Sequence, residues 1–299
     1  MPELPEVETM RGIVARELMG RELASANLTL PKLMRDSPLP DLGLLVGSTL
    51  IGTDRRAKVM VTHWSNHLSV LTHFKLSGQL TVVRPDGTRV MAGHPSPGPE
   101  APLPHTSTHL TLTFADGSLL YYNDLRQFGW WRLLPSDDVP AALAAFNFAA
   151  EGVGADRISA EDLGAKLARR RIPLKQALLD QTVVAGLGNI YVDEALHRAR
   201  LHPERPANSL SPDELLAIHE AIAWSLERGL EQGGADIRNN RAYPRDGFPA
   251  IHARKGEPCT TCGTEILKTV VGARGTYYCP VCQPAPVSRR PANRERGRE

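Results

Sequence analysis

The sequence predicts a multidomain chain of mixed α and β structure. An N-terminal helix precedes an antiparallel β-sandwich, a helical domain follows, and a C-terminal zinc β-hairpin finger closes the chain. Three observations predict it. Strand-like runs punctuated by Asp-Gly turn signals fill residues 23–134. After Pro135 the composition shifts to Ala, Leu and charged residues at helical spacing. All four cysteines fall between Cys259 and Cys282, grouped as metal ligands are, with none left over for a disulfide framework.

The first helix is expected over 5–18. Val7, Met10, Val14 and Leu18 recur as one apolar stripe. Pro5 suits the first turn, Glu6 and Glu8 suit its positive end, and Gly20 suits the stop. In residues 23–134 the β-rich runs include Val59 and Val61, Leu68 and Val70, 109–114 and 119–121. Asp86-Gly87 and Asp116-Gly117 read as hairpin turns between such runs. This pattern suits a sandwich or a barrel. The Pro-rich stretch 93–104 reads as a long surface loop. Helices are expected over 160–170, 174–180, 189–199 and 211–230, with Gly186-Leu187-Gly188 breaking two of them. The resulting domains are 2–135, a linker 136–150 with helical character over 141–150, 151–250 and 251–284. The Pro- and Arg-rich tail 285–299 is expected to be disordered.

Composition sets bounds on function. A length of 299 residues suggests two domains. No apolar run reaches the roughly 18 residues that span a bilayer. Glu3, Glu6 and Glu8 stand where a signal peptide would be basic, so a cytoplasmic protein without a membrane partner is expected. The net charge is only +2. Basic residues nevertheless cluster at Arg55-Arg56-Ala57-Lys58, at Arg169-Arg170-Arg171 and at the C-terminal end. Such clusters either follow a phosphate backbone or form solvated surfaces.

Four motifs carry chemistry. Removal of Met1 would leave Pro2 with a free secondary amine, and Glu3 and Glu6 supply two carboxylates beside it. Such an amine attacks a sugar C1′ or an aldehyde to give an iminium. N-terminal amines titrate at about 7.7–8.0, so part is neutral at pH 7. The positive end of the first helix should lower that value further. The alternative is a solvated terminus, as in many chains that begin Met-Pro. Cys259-Thr-Thr-Cys262 and Cys279-Pro-Val-Cys282, sixteen residues apart, fit the paired knuckles of one structural Zn2+, with a redox pair as the alternative. Residues 266–271 and 276–278 between them look like a hairpin with Arg274 near its tip, placed to meet a phosphate or a groove. In the Gly186-Leu187-Gly188-Asn189 turn, Asn189 is expected to cap a helix whose N–H groups favour a phosphate. The alternative is a helix–turn–helix corner without a ligand.

The ordered set of motifs resembles one family closely. Pro2-Glu-Leu-Pro-Glu-Val-Glu-Thr9, Arg55-Arg-Ala-Lys58 on a strand, His73-Phe-Lys-Leu-Ser-Gly78, Asn123-Asp-Leu-Arg-Gln-Phe-Gly129, Gly186-Leu-Gly-Asn-Ile-Tyr-Val-Asp-Glu-Ala-Leu196 and the four-cysteine finger resemble bacterial formamidopyrimidine-DNA glycosylases over residues 2–283. The resemblance implies a helix–two-turn–helix in the helical domain. It also implies a monomeric repair enzyme that removes oxidised purines from double-stranded DNA and cleaves the resulting abasic site. Pro2 would be the nucleophile, Glu3 the acid/base at the deoxyribose ring, and Glu6 and Lys58 their neighbours in catalysis. Lys58, His73, Asn189 and Arg274 would grip phosphates. Leu76, Arg126 and Phe128 would fill the gap left by a flipped base, with Arg126 facing the orphaned cytosine. The resemblance also places His109 and Lys175 among the DNA-binding residues. Leu76 stands where the family usually has methionine, and the segment 238–254 diverges from the family's base-covering loop. Two alternatives are an endonuclease VIII-like glycosylase for oxidised pyrimidines and a non-catalytic zinc protein that binds damaged DNA. A binding protein would not require a free terminal amine.

Overall fold

The computed structural model describes residues 2–92, 98, 100–238 and 241–285. The expected disordered tail and much of the expected 93–104 loop lie outside the described residues. Helix α1 (Leu4–Leu18) carries Pro5 in its first turn and buries Leu4, Val7, Met10, Val14 and Leu18. Its apolar stripe serves two different cores. Val7, Met10, Val14 and Leu18 pack into the sheets that follow, whereas Leu4 packs into the helical domain. The helix therefore pins the two halves of the chain together at its N-terminal turn.

The strands are β1 (Leu23–Leu28), β2 (Leu50–Arg56), β3 (Val59–Trp64), β4 (Leu68–His73), β5 (Gly78–Val83), β6 (Arg89–Met91), β7 (Thr108–Phe114), β8 (Leu119–Asp124) and β9 (Trp130–Pro135). They form two antiparallel sheets, β1-β7-β8-β5-β6 and β2-β3-β4-β9. Two separate sheets make a sandwich, which resolves the sandwich-or-barrel choice. Leu50, Met60, Trp64, Val70, Leu110, Leu112, Phe114 and Trp131 fill the space between them, with the Trp64 and Phe114 rings stacked at 6.4 Å. Both Asp-Gly signals lie at hairpin turns, where Gly87 (φ +85°) and Gly117 (φ +87°) occupy the left-handed region that side chains avoid. The linker does not hang free. Helix α2 (Val139–Ala144) ends earlier than expected, and Val139, Phe146 and Phe148 cover Val59, Val61, Leu71 and Leu134 on the second sheet.

The helical domain comprises α3 (Ala160–Ala168), α4 (Leu174–Leu178), α5 (Asn189–Arg198) and α6 (Pro212–Glu231). Ser159 caps α3, and Ser211 with Glu214 forms a capping box at α6. A short ribbon of β10 (Ile237–Arg238) and β11 (Arg241–Ala242) leads to the hairpin β12 (Leu267–Val271) and β13 (Arg274–Tyr278).

One sequence expectation needs correction here. Arg55 and Arg56 do not form an open phosphate track. Arg55 donates to both oxygens of Glu151 (3.0 and 2.9 Å) and to Glu8 (3.0 Å), while Arg56 donates to Glu151 (3.2 Å) and to the Ala149 carbonyl (2.6 Å). The Ala57 N–H also reaches Glu151 (2.7 Å). These cations clamp the linker to the sandwich, because Glu151 returns the chain to them. Lys58 sits in the tight turn after β2, next to Ala57 at φ +52°, and not within a strand.

The turn before α5 needs its glycines for a specific reason. Gly186 has φ +87°, and a Cβ there would lie 2.4 Å from Leu4 Cδ1. Gly186→Ala is expected to lower stability by about 2 kcal/mol, from left-handed strain and overpacking together. Thermal or urea unfolding checks this, and an unchanged midpoint would contradict the close approach.

Candidate functional site

The first turn of α1 is buried against the N-terminus of α5. Pro2 is buried, and Glu3 is fully inaccessible. Glu3 Oε1 accepts the Ile190 N–H (3.0 Å), so the carboxylate lies at the positive end of α5. A Cβ on Gly188 would lie 2.2 Å from Glu3 Cδ. Only glycine leaves room for this carboxylate. Glu3 Oε2 is buried and has no hydrogen-bond partner among the described residues. A buried carboxylate oxygen without a donor is the mark of a position prepared for something else.

Glu6 holds the backbone of this turn. Its Oε2 accepts the Glu3 N–H (2.9 Å), and its Oε1 accepts the Tyr191 hydroxyl (2.6 Å) and the Ala235 N–H (3.0 Å). Tyr191 was quoted in the sequence motif but given no role there. Burial first, then the Glu6 charge, pushes its phenol well above the ordinary range, so it remains a donor. One carboxylate thus joins α1, α5 and the chain that follows α6.

Lys58 is almost fully buried, and its Nζ donates to the Leu187 carbonyl (2.8 Å) inside the same turn. Burial lowers its pKa, opposed by Glu3 and Glu6, with Arg274 adding to the lowering. Burial also raises the pKa of Glu3, against the pull of Lys58 and with the help of Glu6. The site therefore holds an acid that keeps its proton to higher pH than usual beside an amine that gives its proton up more easily. Such divergence is what proton transfer near neutrality needs.

The structure brings a second group of predicted residues to the same region. His73 ends β4, and its Nδ1 accepts the Lys75 N–H (3.0 Å). The neutral ring then carries its hydrogen on Nε2, ready to donate. Burial, with Lys75 and Lys58 nearby, holds its pKa down to about 3. Arg274 is exposed at the start of β13, after the tight turn Gly272-Ala273. The next residue, Gly275, offers its carbonyl to both Asn189 Nδ2 (3.0 Å) and Lys175 Nζ (3.0 Å). Asn189 Oδ1 is buried without a partner among the described residues. Leu76, Arg126 and Phe128 lie on two adjacent loops, with the Arg126 guanidinium 5.4 Å from the Phe128 ring centre. Phe128 is 54% exposed, with Leu125 on the same loop 58% exposed.

Three expectations differ from what is found. Asn189 does not cap α5 with its side chain. Gly188 occupies the cap position, and Glu3 supplies the oxygen from across the domain boundary. Lys175 is fully buried, with its ammonium bound to Asp193 (2.7 Å), Thr276 (2.9 Å) and Gly275. All three donors are spent inside the protein, so in this structure it sets the hairpin and presents nothing to a phosphate. His109 is likewise buried, and its Nε2 donates to the Asp124 carbonyl (3.0 Å). Neither burial was visible in the sequence, since both depend on partners at least fifteen residues away.

The finger is tied to the same frame. Asp193 Oδ2 accepts from His252 Nδ1 (2.7 Å) and the Tyr277 N–H (3.2 Å), and Glu194 accepts the N–H groups of Ala250, Ile251 and His252. The ligand atoms of Cys259, Cys262, Cys279 and Cys282 all lie within 4.8 Å of one another. The Cys262–Cys279 and Cys259–Cys282 sulfur separations are 3.4 and 3.9 Å. Tetrahedral zinc with Zn–S bonds near 2.3 Å requires about 3.8 Å. Four thiolates fit one structural zinc and leave no open position on it.

Comparison with known proteins agrees with this geometry. Residues 1–131 match a family model described as the formamidopyrimidine-DNA glycosylase N-terminal domain, and residues 150–241 match that family's H2TH domain. Residues 256–285 match a zinc finger found in FPG and IleRS. The chain is 38% identical to a formamidopyrimidine-DNA glycosylase of Roseiflexus sp. (strain RS-1), over 95% of this chain and 100% of the relative. It is 35% identical to one from Pelotomaculum thermopropionicum, over 95% and 99%. Among solved structures, the Lactococcus lactis protein bound to abasic-site DNA aligns at a TM-score of 0.83 and 31% identity, covering 95% of this chain and 100% of that one. A complex of MutM with DNA containing carbocyclic 8-oxo-G aligns at 0.82 and 31%, with the same coverage.

Two outcomes follow from the site. His73 has a folded pKa below its ordinary 6.5, so its contribution to stability is complete above pH 6.5 and is lost as pH falls toward about 3. In unfolding measurements across that window, His73→Gln should lose less stability on acidification than the parent. Equal losses would show that the ring protonates freely when folded. Cys279→Ser should drop zinc below one per chain by metal analysis and loosen the finger to proteolysis. Full zinc content in that variant would overturn the four-thiolate site.

Proposed function

The chain belongs to the formamidopyrimidine-DNA glycosylase family, and on that premise we propose that it is a base-excision repair enzyme: a bifunctional glycosylase and abasic-site lyase acting on oxidised purines in duplex DNA. The single observation that carries the reading is the Glu3 carboxylate, buried next to Pro2, with one oxygen held by α5 and the other without a partner among the described residues. A binding protein gains nothing from such an arrangement, and a glycosylase needs it.

Chemistry at C1′ of a stacked nucleotide requires the nucleotide to leave the duplex. Phe128 supplies an apolar wedge for the vacated stack, Arg126 supplies donors for the unpaired base, and Leu76 fills the remaining space. Lys58, His73, Asn189 and Arg274 surround the catalytic turn with donors, which suits the phosphates on either side of the extruded sugar. Once Met1 is removed, the Pro2 nitrogen attacks C1′ and the C1′–base bond breaks, its electrons leaving with the base, which takes up the proton shed by the Pro2 nitrogen. Glu3, whose pKa burial raises, is the group placed to give a proton to the ring oxygen as the sugar opens to a Pro2 iminium. The iminium acidifies the C2′ proton. Loss of that proton expels the 3′ phosphate, and a second elimination expels the 5′ phosphate. Hydrolysis then frees Pro2. With Met1 in place the same nitrogen is an amide and cannot attack. A zinc ion held by Cys259, Cys262, Cys279 and Cys282 would stiffen the hairpin that carries Arg274 and would stand outside these steps. The solved relatives bound to Fapy-dG, abasic or 8-oxo-G DNA support oxidised purines as the substrate class.

Borohydride trapping tests the reading. Incubation with duplexes carrying 8-oxoguanine, formamidopyrimidine or an abasic site, followed by borohydride, should leave a DNA adduct on the N-terminal peptide. A thymine glycol duplex should trap least. Pro2→Gly should cut strand nicking severely with zinc retained, and Glu3→Gln should slow adduct formation by roughly 10²–10⁴-fold. Absence of any adduct from all duplexes would sink the lyase mechanism.

A further inference from the structure

Asp124 ends β8 and is 1% exposed. No cation pairs with it among the described residues. Instead its oxygens gather two loops. Oδ2 accepts the Gly129 N–H (2.8 Å) and the Tyr122 hydroxyl (3.2 Å). Oδ1 accepts the Ser77 hydroxyl. Ser77 Oγ in turn accepts the Arg126 N–H (2.8 Å). The Asp124 carbonyl accepts the Gln127 N–H (3.2 Å) and His109 Nε2–H (3.0 Å).

The consequence is geometric. Leu76 precedes Ser77 on the loop between β4 and β5, whereas Arg126 and Phe128 lie on the loop between β8 and β9. The two loops share one carboxylate. Gln127, between the two gap-filling residues, is held at φ +56°, a conformation that a side chain adopts only when its surroundings enforce it. Gly129 closes the loop so tightly that a Cβ would lie 1.7 Å from the Tyr122 hydroxyl. Tyr122 is buried, and its phenol stays protonated because burial and then the Asp124 charge raise its pKa well above the usual value. The loop is thus built before any ligand arrives, and its outward side chains Arg126 and Phe128 meet one another.

We propose that Asp124, acting through Ser77, is the positioning residue that presents Leu76, Arg126 and Phe128 as one preformed unit to the gap left by an extruded base. It thereby sets discrimination of the opposite base. This inference rests on the repair reading given above. A wedge ordered in advance spends less entropy on insertion. Arg126 can choose among opposite bases only if its backbone is fixed, because a mobile guanidinium finds an acceptor on any of them. His109 belongs to the same device, since it fixes the peptide from behind.

The test uses the full-length zinc-loaded chain and the variants Asp124→Asn, Ser77→Ala and Ser77→Thr. Fluorescence of an aminopurine beside the lesion reports insertion of the wedge. Single-turnover elimination from a saturated abasic duplex reports the chemistry. Asp124→Asn and Ser77→Ala should each weaken productive binding by roughly tenfold, the cost of leaving a buried group unpaired. They should also lose the fluorescence change and narrow the preference for cytosine over adenine opposite the lesion. The saturated elimination rate should hold, and Ser77→Thr should restore all three binding readouts. If Asp124→Asn fails to fold, by circular dichroism and zinc content, Ser77→Ala alone decides. Parent-like fluorescence and base preference in Ser77→Ala would overturn the proposal. So would a saturated elimination rate that falls as far as binding does, because Asp124 would then act on the chemistry. Failure of the parent chain to trap on abasic DNA would instead reject the repair reading, and the wedge signal would remain interpretable as binding.

Discussion

The contact between Glu3 and the first turn of α5 is the constraint on which the rest of the structure depends. A carboxylate at the end of one domain supplies the missing acceptor at the start of a helix in another. Everything nearby is shaped to permit it. Gly186 and Gly188 have no side chains because Leu4 and Glu3 occupy that space. Lys58 bonds to Leu187 between them. Glu6, Tyr191 and Ala235 fix the backbone from the other side. Burial makes the contact costly for an ionised carboxylate, and the helix N-terminus and Lys58 offset part of that cost. The fold thus places a buried carboxyl beside Pro2 and keeps it from simply being solvated.

The zinc finger extends the same logic to the periphery. Its hairpin is stiffened at its base by metal and fastened along its side by Lys175, Asn189 and Asp193. Arg274 is adjacent to the carbonyl that two of these residues hold. A long exposed arginine gains little from position unless its backbone is immobile, and here the immobility comes from both covalent metal bonds and buried charge pairing.

Much of the fold was legible because it is written in local chemistry. The apolar stripe of α1, the two Asp-Gly turns, the four helices and the paired cysteines each follow from residue type and spacing. What stayed hidden was the destination of polar side chains. Lys175 and His109 look like surface cations or donors, yet both are spent on buried partners. Arg55 and Arg56 look like a phosphate track, yet Glu151 claims them across nearly a hundred residues. Asn189 has the composition of a helix cap, but Glu3 takes that task. Asp124 and Tyr191 sit inside motifs that sequence reading quoted without assigning them roles. In each case the deciding contact is long-range, and no local pattern encodes it. The choice between sandwich and barrel was open for the same reason, since strand order is a tertiary fact.

The division of labour at the N-terminal turn also bears on synthesis. Ribosomes deliver Pro2 and Glu3 first, whereas Ile190, Tyr191 and Ala235 emerge far later. Under the proposed mechanism, an unfinished chain carries its nucleophile but lacks the groups that orient it, and the hairpin bearing Arg274 comes later still. On that proposal the site is chemically incomplete until the residues of α5 and those beyond α6 are in place. Under that mechanism, chemical competence waits on the docking of the two domains at this turn.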